Sequence, residues 1–249
     1  MKYNIEELKR EYRELIEGLD AECGLSRQVI ETQYADDILY RQGRDAADHG
    51  EQDMEQYLSD RHAWAAFGAT RLVFGFDNCD FIIKFQTEEG EMDYGAREAE
   101  TYQAAVEANL GKYFANCFLL FHYTFRFSGK SYTVPVYAME RCDCSYDKIS
   151  DDSYNYHYSK FCSEESLDGS KAETRDLFYD EYDERYDSTE GMLVYAMTTW
   201  SEDVEGWAPL LRFICDWQIN DLHPGNWGYN KNYQLVLTDY AGFGALANR

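Results

Sequence analysis

Apolar side chains recur at helical spacing in the first part of the chain. Ile5, Leu8, Tyr12 and Leu15 fall on one stripe, as expected for an amphipathic helix whose apolar face is buried. A second, shorter stripe comprises Met54, Tyr57, Leu58 and Trp64. Neither stripe brings together residue types that indicate chemistry. We therefore predict a helical N-terminal extension over residues 1–64 that packs on the domain following it.

The pattern beyond residue 64 changes to β-rich runs that are separated by turn residues. The expected elements are, in order, strands over 71–76 and 80–85, a helix over 96–110, and strands over 117–127 and 131–139. Short polar or glycine-containing turns separate the paired runs, so each pair is expected to form an antiparallel hairpin. The segment 65–141 is therefore predicted to be an α+β unit.

The remaining segment, 142–249, begins with a strongly acidic, tyrosine-rich insertion that extends from Asp143 to Glu190. So many aromatic rings favour at least partial packing over a fully solvated linker. The elements expected after it are buried helices over 192–199 and 207–217 and a short buried strand over 234–238.

The composition narrows the class of protein. The chain has 249 residues, with Lys+Arg 23 against Asp+Glu 47, a net charge of −24 and a pI near 4.4. A hydrophobic content of 45% is that of a folded protein. Binding to nucleic acid or to anionic lipid is not expected, because both require a basic surface. Solubility explains the acidic surface, and docking of a basic protein partner is the alternative.

The sequence also bears on the compartment. No apolar run reaches the roughly 20 residues that a membrane helix needs, and the first residues lack the apolar core of a secretory signal. Seven cysteines are scattered without a C-x-x-C pair, which predicts thiols in a reducing compartment rather than a zinc site. We therefore expect a cytoplasmic protein.

The candidate chemistry lies in two neighbouring segments late in the sequence. Asp221 and Asn226 are five positions apart in a loop that Pro224-Gly225 tightens, and Asp239 ends the strand that follows. One amide oxygen and two carboxylates form a hard-oxygen set that suits Mg²⁺, which takes few protein ligands and leaves places for phosphate oxygens. An acid that is not bound to metal can orient a hydroxyl acceptor. The set is therefore the minimum apparatus for phosphoryl transfer.

The sequence Asp221-Leu222-His223-Pro224-Gly225-Asn226 resembles the D-x-x-x-x-N catalytic loop of the protein-kinase-like superfamily. Its DLHPGN spelling is closest to kinases of the aminoglycoside-phosphotransferase type. Asp239-Tyr240-Ala241 stands in the place of the D-F-G metal motif. The resemblance implies that Asp221 is the catalytic acid and that Asn226 and Asp239 bind Mg²⁺ or Mn²⁺. It also implies that ATP is the phosphoryl donor.

An upstream segment supports the same resemblance. Ile82-Ile83-Lys84 resembles the V-A-I-K strand of the superfamily, whose lysine contacts the α- and β-phosphates. The resemblance implies that Lys84 binds nucleotide and pairs with a glutamate of the next helix. Glu98 is favoured for this pairing, because the residues that follow it keep the spacing of a packed helical face, and Glu100 is the alternative.

The remaining nucleotide contacts are implied by the same resemblance. The strand that leads to residue 142 resembles the hinge between lobes, with Met139 as the gatekeeper and the backbone of Glu140 and Cys142 contacting adenine. The segment that would cover the phosphates keeps one glycine of the usual G-x-G-x-x-G and consists of Gly68, Ala69 and Thr70.

Four positions depart from the superfamily's pattern. Ile219 and Asn220 replace the His-Arg of H-R-D, His223 stands where protein kinases commonly have a lysine, and Ala241 replaces the glycine of D-F-G. The sequence ends within about ten residues of Asp239, without an activation segment. In this it is similar to short bacterial effector kinases and to a phage-encoded host-directed kinase.

The fold implied by the resemblance is α+β and two-lobed. It would comprise the N-terminal extension over 1–64, a kinase-like N-lobe over 65–141 and a truncated C-lobe over 142–249 that contains the acidic insertion. The implied function is ATP- and metal-dependent phosphorylation of protein serine or threonine, in the cytoplasm or after delivery into a host cytoplasm. Two alternatives stay open: a nucleotide-binding pseudokinase that acts as an interaction module, and a small-molecule kinase.

Overall fold

The structure is a computed structural model that describes residues 4–27, 53–67, 71–86, 93–143, 207–219 and 226–241. The chain divides into two units. The first, which we call unit 1, comprises Met1–Ala99 with Cys117–Glu140, and unit 2 comprises Glu100–Asn116 with Arg141–Arg249.

Unit 1 contains an antiparallel sheet of five strands in the order β1-β2-β3-β5-β4. The strands are β1 Ala63–Phe67, β2 Arg71–Phe76, β3 Phe81–Gln86, β4 Cys117–Phe127 and β5 Lys130–Glu140. Helices α1 (Ile5–Cys23) and α2 (Met54–Ser59) precede the sheet, and α3 (Tyr94–Glu107) connects β3 to β4. The expected α+β class is confirmed.

Helix α1 begins and ends at residues suited to those positions. The side chain of Asn4 caps its first turn by accepting a hydrogen bond from the Glu6 backbone N–H at 3.2 Å. Two acidic residues in the first turn, Glu6 and Glu7, complement the positive end of the helix dipole. Gly24 ends the helix with φ of 65°, a left-handed conformation that glycine adopts without steric cost.

The buried side of α1 packs against one face of the sheet, as the apolar stripe predicted. The Tyr12 hydroxyl donates a hydrogen bond to the Phe81 carbonyl of β3 at 2.6 Å, and its ring lies 5.0 Å from that of Phe76. The buried core on this face, which we call the apolar face, includes Leu8, Leu15, Ile16, Leu19, Leu72, Phe74, Ile83, Phe85, Phe121, Tyr123, Val136 and Ala138. The N-terminal helices are thus part of the core of unit 1.

Alternation along the strands separates the apolar face from the opposite one. Leu72 of β2, Phe85 of β3 and Val136 of β5 lie side by side and point to the apolar face. Their neighbours Val73, Lys84 and Tyr137 form the next cross-strand row and therefore point to the other side. We call that side the charged face.

One element of unit 1 was predicted incorrectly. Trp64 was assigned to a helical stripe with Met54, Tyr57 and Leu58, which are indeed buried in α2. Trp64 instead lies in β1, opposite Gly75 of β2. Strand β1 begins at Ala63, so the boundary expected between residues 64 and 65 falls inside a strand. Pairing with β2 outweighs the helical preference of an alanine-rich segment.

The described part of unit 2 contains the end of α3, a 3-10 helix (Gly111–Tyr113), helix α4 (Trp207–Asp216) and the hairpin β6 (Trp227–Tyr229) with β7 (Leu235–Leu237). The Ala115 N–H donates to the Leu237 carbonyl at 2.8 Å. The Phe114 ring packs edge-on against Phe213 of α4 at 5.6 Å and against Tyr240 at 5.2 Å. These contacts join the segment after α3 to α4 and to the end of the hairpin.

Some of the elements predicted for unit 2 are confirmed, and one observed strand was not predicted. Helix α4 and strand β7 lie where the sequence predicted them, whereas β6 was predicted to be loop. The helix expected over 192–199 lies outside the described residues, as does the acidic insertion beyond Asp143. Within the described ranges, no helix combines the length and apolar composition needed to cross a membrane.

Candidate functional site

Lys84 lies in the middle of the sheet on the charged face. It is in β3, directly between Val73 of β2 and Tyr137 of β5. Its side chain is only 8% exposed, although a lysine is rarely buried unless it is paired. The position therefore requires an acidic partner from an element that packs on this face.

The first turn of α3 is held against the sheet at Tyr137. Asp93 accepts the Ala96 backbone N–H on Oδ1 at 2.9 Å and the Tyr137 hydroxyl on Oδ2 at 3.0 Å. Gly95 lies over the same tyrosine, and a Cβ at this position would collide with the ring. A capping carboxylate and a glycine thus allow the helix to approach β5 closely.

This anchoring places Glu98 over the sheet. Glu98 follows Gly95 by three positions and therefore lies on the same side of the helix. Its carboxylate is fully buried, and Oε1 lies 2.8 Å from the Lys84 Nζ. Glu100, the alternative partner, is exposed. The pairing of Lys84 with Glu98 is therefore what the structure shows.

A second cation shares the same carboxylate. Arg71, the first residue of β2, donates from Nη1 to Glu98 Oε2 at 2.7 Å, and its side chain is 9% exposed. Its guanidinium also lies 5.8 Å from the ring centre of Tyr94 in the first turn of α3. We call Arg71, Lys84 and Glu98 the charged cluster.

The role of Arg71 was not predicted from the sequence. The signal was present in the alternation of β2, because Arg71 is two positions from Val73 and therefore points to the charged face with Lys84. Asp93 and Tyr137, which anchor α3, were also not anticipated.

The residues expected to contact adenine follow at the end of β5. Met139 is buried, and it lies between Ile82 of β3 and Cys117 of β4. Glu140 pairs with Phe81 and is half-buried, as is Cys142. No adenine contact follows from these positions alone.

The two expected metal ligands lie at one end of the β6–β7 hairpin. Asn226 immediately precedes β6, and Asp239 follows β7 by two residues. The Thr238 N–H donates to the Asn226 carbonyl at 2.8 Å, which continues the hairpin pairing by one step. The backbone at residue 226 therefore lies beside the residue preceding Asp239.

The chain around Asp239 is held firmly. Tyr240 is fully buried, and its hydroxyl donates to the Ala115 carbonyl at 2.6 Å. Positive φ occurs at five described non-glycine residues, and Ala241 is not one of them. Alanine at this position therefore introduces no left-handed strain.

The side-chain oxygens of Asn226 and Asp239 suit Mg²⁺ better than a softer metal. An amide oxygen from Asn226 and a carboxylate from Asp239 are hard ligands, and Mg²⁺ commonly takes only one or two carboxylates from the protein. Across the described ranges, no three His, Cys, Asp or Glu side chains converge as a metal-binding group. These residues could therefore contribute to a magnesium site completed by phosphate oxygens and water.

The other expected site residues lie outside the described ranges. These are Asp221, Gly68, Ala69 and Thr70. Their roles stay predictions from the sequence.

No protein-family model matches this sequence, and no curated protein is significantly similar to it.

Proposed function

We propose that this protein is an ATP- and metal-dependent phosphotransferase with a protein-kinase-like fold, and that it phosphorylates serine or threonine in proteins. One observation carries the proposal: the buried ion pair between Lys84 of β3 and Glu98 of α3. A lysine of this strand paired with a glutamate of the next helix is a functional requirement of protein kinases. The order of the five strands, with one helix inserted between β3 and β4, supports the same assignment.

Each residue has a defined task in this proposal. Lys84 binds the phosphates of ATP, and Glu98 holds the lysine in place. Asn226 and Asp239 hold Mg²⁺ or Mn²⁺, which neutralises charge on the phosphate oxygens. Asp221 accepts the proton of the attacking hydroxyl. The residues assigned to the phosphates and to adenine are those named from the sequence: Gly68, Ala69, Thr70, Met139, Glu140 and Cys142.

The charge of the chain supports a basic acceptor segment. With a net charge of −24, the protein attracts cationic partners and repels nucleic acid. A serine or threonine flanked by lysine or arginine is therefore the acceptor we propose. Incubation with radiolabelled ATP, a cell lysate and a metabolite panel tests it. If the label appears only in metabolites, the acceptor is a small molecule and not a protein.

Nucleotide binding is tested by thermal denaturation with ATP, with and without Mg²⁺ or Mn²⁺. A ligand at about 100 times its Kd stabilises the native state by about 2.7 kcal/mol, so the wild type should show a clear increase in Tm. Lys84→Met should remove most of this increase. Lys130→Met is the matched control, because Lys130 is exposed at the start of β5. Absence of any shift in the wild type at millimolar nucleotide would contradict the proposal.

Catalysis is tested separately from binding. Asp221→Asn should abolish transfer but preserve the ATP-dependent increase in Tm, because the proposed partner of Asp221 is the acceptor. Asp239→Asn should reduce the metal-dependent part of that increase as well. A wild type that binds ATP without any turnover would instead identify a pseudokinase.

A further inference from the structure

The surface of unit 1 has a groove of about 440 Å³ beside α1. Five residues from three parts of the unit line it: Glu11, Glu14 and Leu15 of α1, Arg61 between α2 and β1, and Phe76 at the end of β2. Leu15 is buried and Phe76 is half-buried, so the groove offers apolar surface next to two carboxylates. We call this space the acidic groove.

The basic side chains of α1 do not neutralise these two carboxylates. The helix carries seven acidic and three basic residues, and each of the three basic side chains has a partner outside the groove. The pairs are Lys9 with Glu6 at 3.0 Å, Arg10 with Glu7 at 3.8 Å, and Arg13 with the ring of Phe121 at 4.6 Å. Among the residues that the structure describes, no cation forms an ion pair with Glu11 or Glu14.

Arg61 lines the groove, but its guanidinium group is engaged with other residues. It donates from Nη1 to the Tyr57 carbonyl at 3.2 Å and lies 3.5 Å from the centre of the Tyr57 ring, and its Nη2 is 3.9 Å from a carboxylate oxygen of Glu22. Glu11 and Glu14 are three positions apart, so they are neighbours on the helix surface and repel each other. The acidic groove therefore carries negative charge that no described side chain neutralises.

We propose that the acidic groove docks an arginine-containing segment of a partner protein. The methylene stem of an arginine can cover the apolar surface of Leu15 and Phe76. Its guanidinium group can then donate to Glu11 and Glu14, and its flat face can stack on the Phe76 ring. A lysine ammonium lacks this planar shape and is more strongly hydrated, so it fits the groove less well. The net charge of −24 attracts a cationic segment over a longer range.

Docking at this groove is separate from the candidate nucleotide site. Phe76 packs against the core of the apolar face, so the acidic groove lies on that side of the sheet. The charged cluster lies on the other side. The inference therefore does not rest on the proposed function, and ATP with Mg²⁺ should not compete with the docked segment.

The test is fluorescence anisotropy of a labelled peptide in which arginine alternates with glycine, titrated with the full chain. The peptide has no hydroxyl side chain, so it cannot act as a phosphate acceptor. A second peptide carries citrulline, a neutral analogue of similar shape, in place of arginine. Spermine, titrated calorimetrically, is the small-molecule comparison.

The variant that tests the groove is Glu11→Gln/Glu14→Gln. Glu17→Gln/Glu55→Gln is the matched control, because both of its residues are exposed and neither lines the groove. The two double variants change the net charge equally. They therefore separate docking in the groove from general attraction to an acidic protein.

The groove variant should bind the arginine peptide about tenfold more weakly than the wild type, equivalent to about 1.4 kcal/mol. The control should change the affinity by less than about twofold, because it removes only a screened, long-range attraction. The citrulline peptide should not distinguish the wild type from the groove variant. Saturating ATP with Mg²⁺ should leave the affinity for the arginine peptide unchanged.

Four results would overturn the inference. Equal losses in the two double variants would mean that net charge alone attracts the peptide. Equal binding of the citrulline and arginine peptides would mean that the guanidinium charge is not recognised. Binding of spermine without binding of the arginine peptide would identify a small polycation as the ligand. Competition by ATP would place the peptide at the candidate nucleotide site. Each of these results leaves the separate measurements of nucleotide binding and phosphate transfer unaffected.

Discussion

Replacing Glu98 by glutamine removes one carboxylate from a cluster in which it holds two cations. The Glu98 side chain is 0% exposed, and those of Lys84 and Arg71 are 8% and 9% exposed. Removing one partner of a buried ion pair typically costs about 3–5 kcal/mol, because the remaining charge is left buried. Domains are stable by about 5–15 kcal/mol. We therefore expect Glu98→Gln to lose a large fraction of the free energy of unfolding of unit 1.

The matched control is Glu100→Gln, which makes the same chemical change two residues along the same helix. Glu100 is exposed, and surface substitutions of this kind usually change stability by less than about 0.5 kcal/mol. Urea unfolding followed by circular dichroism measures the difference. Hydrogen exchange of the β2 and β3 amides provides a local readout, which is needed because a chain of two units can unfold in more than one step. Equal losses in the two variants would refute the reasoning.

The same cluster allows a compensating variant. Arg71→Met/Lys84→Met/Glu98→Leu replaces all three charges by apolar side chains of similar volume. Such replacements of buried ionic triads are often neutral or stabilising, so the triple variant should be more stable than Glu98→Gln alone. It should nevertheless lose the ATP-dependent increase in Tm, because Lys84 is no longer present. If the triple variant is as unstable as Glu98→Gln, then unpaired charge is not the cause of the loss.

Three further predictions concern unit 1, each measured by unfolding of the variant. Tyr12→Phe removes the hydroxyl that donates to a β3 carbonyl at 2.6 Å, and it should cost about 1 kcal/mol; no change would show that α1 is held by packing alone. Gly75→Ala brings a Cβ into the Trp64 ring, and it should cost about 1–3 kcal/mol unless Trp64→Leu is combined with it. Burial and the Asp20 carboxylate raise the pKa of Tyr123, so the folded state keeps this side chain neutral. The resulting stability is complete below the pKa of an unfolded tyrosine, about 10, and is lost as the pH rises above it. Tyr123→Phe should therefore show a smaller decrease in Tm than the wild type between pH 9 and 11, and equal decreases would contradict this.

The hairpins of unit 1 could be predicted because their strands show the pattern in sequence. In β4, Phe121, Tyr123 and Phe125 are buried, whereas His122 and Thr124 between them are exposed. A half-buried antiparallel strand requires this alternation. The same argument predicted the β2–β3 pair and, with it, the strand position of Lys84.

Strands β1 and β6 could not be predicted from local pattern. The β1 sequence Ala63-Trp64-Ala65-Ala66-Phe67 contains three alanines, the residue with the highest helix propensity. It is a strand because all five residues pair with β2. Strand β6 has only three residues, one of them glycine, and it exists through its partner β7. In both cases pairing with the partner strand, and not the local sequence, determines the structure.

In the charged cluster, the two residues that follow motif spacing were predicted, and the residue that does not was missed. Lys84 and Glu98 were named from their places in a strand and the next helix. Arg71 was missed because its role depends on cross-strand register: Val73 faces Lys84, which places Arg71 on the same face two residues earlier. A charged residue in phase with a buried lysine is a signal that can be looked for in other strands.

The two faces of the sheet explain why the N-terminal helices bear on the candidate site. Strand alternation forces every second residue of β2 and β3 to one side, so a charged cluster on one face leaves Leu72, Phe74 and Ile83 on the other. Those side chains are fully buried, and they lie in one core with α1 and α2. Without that cover, the strand that carries Lys84 would expose its apolar residues, which costs about 25 cal/mol per Å² of surface. Helices α1 and α2 therefore support the charged cluster from the opposite face of the sheet.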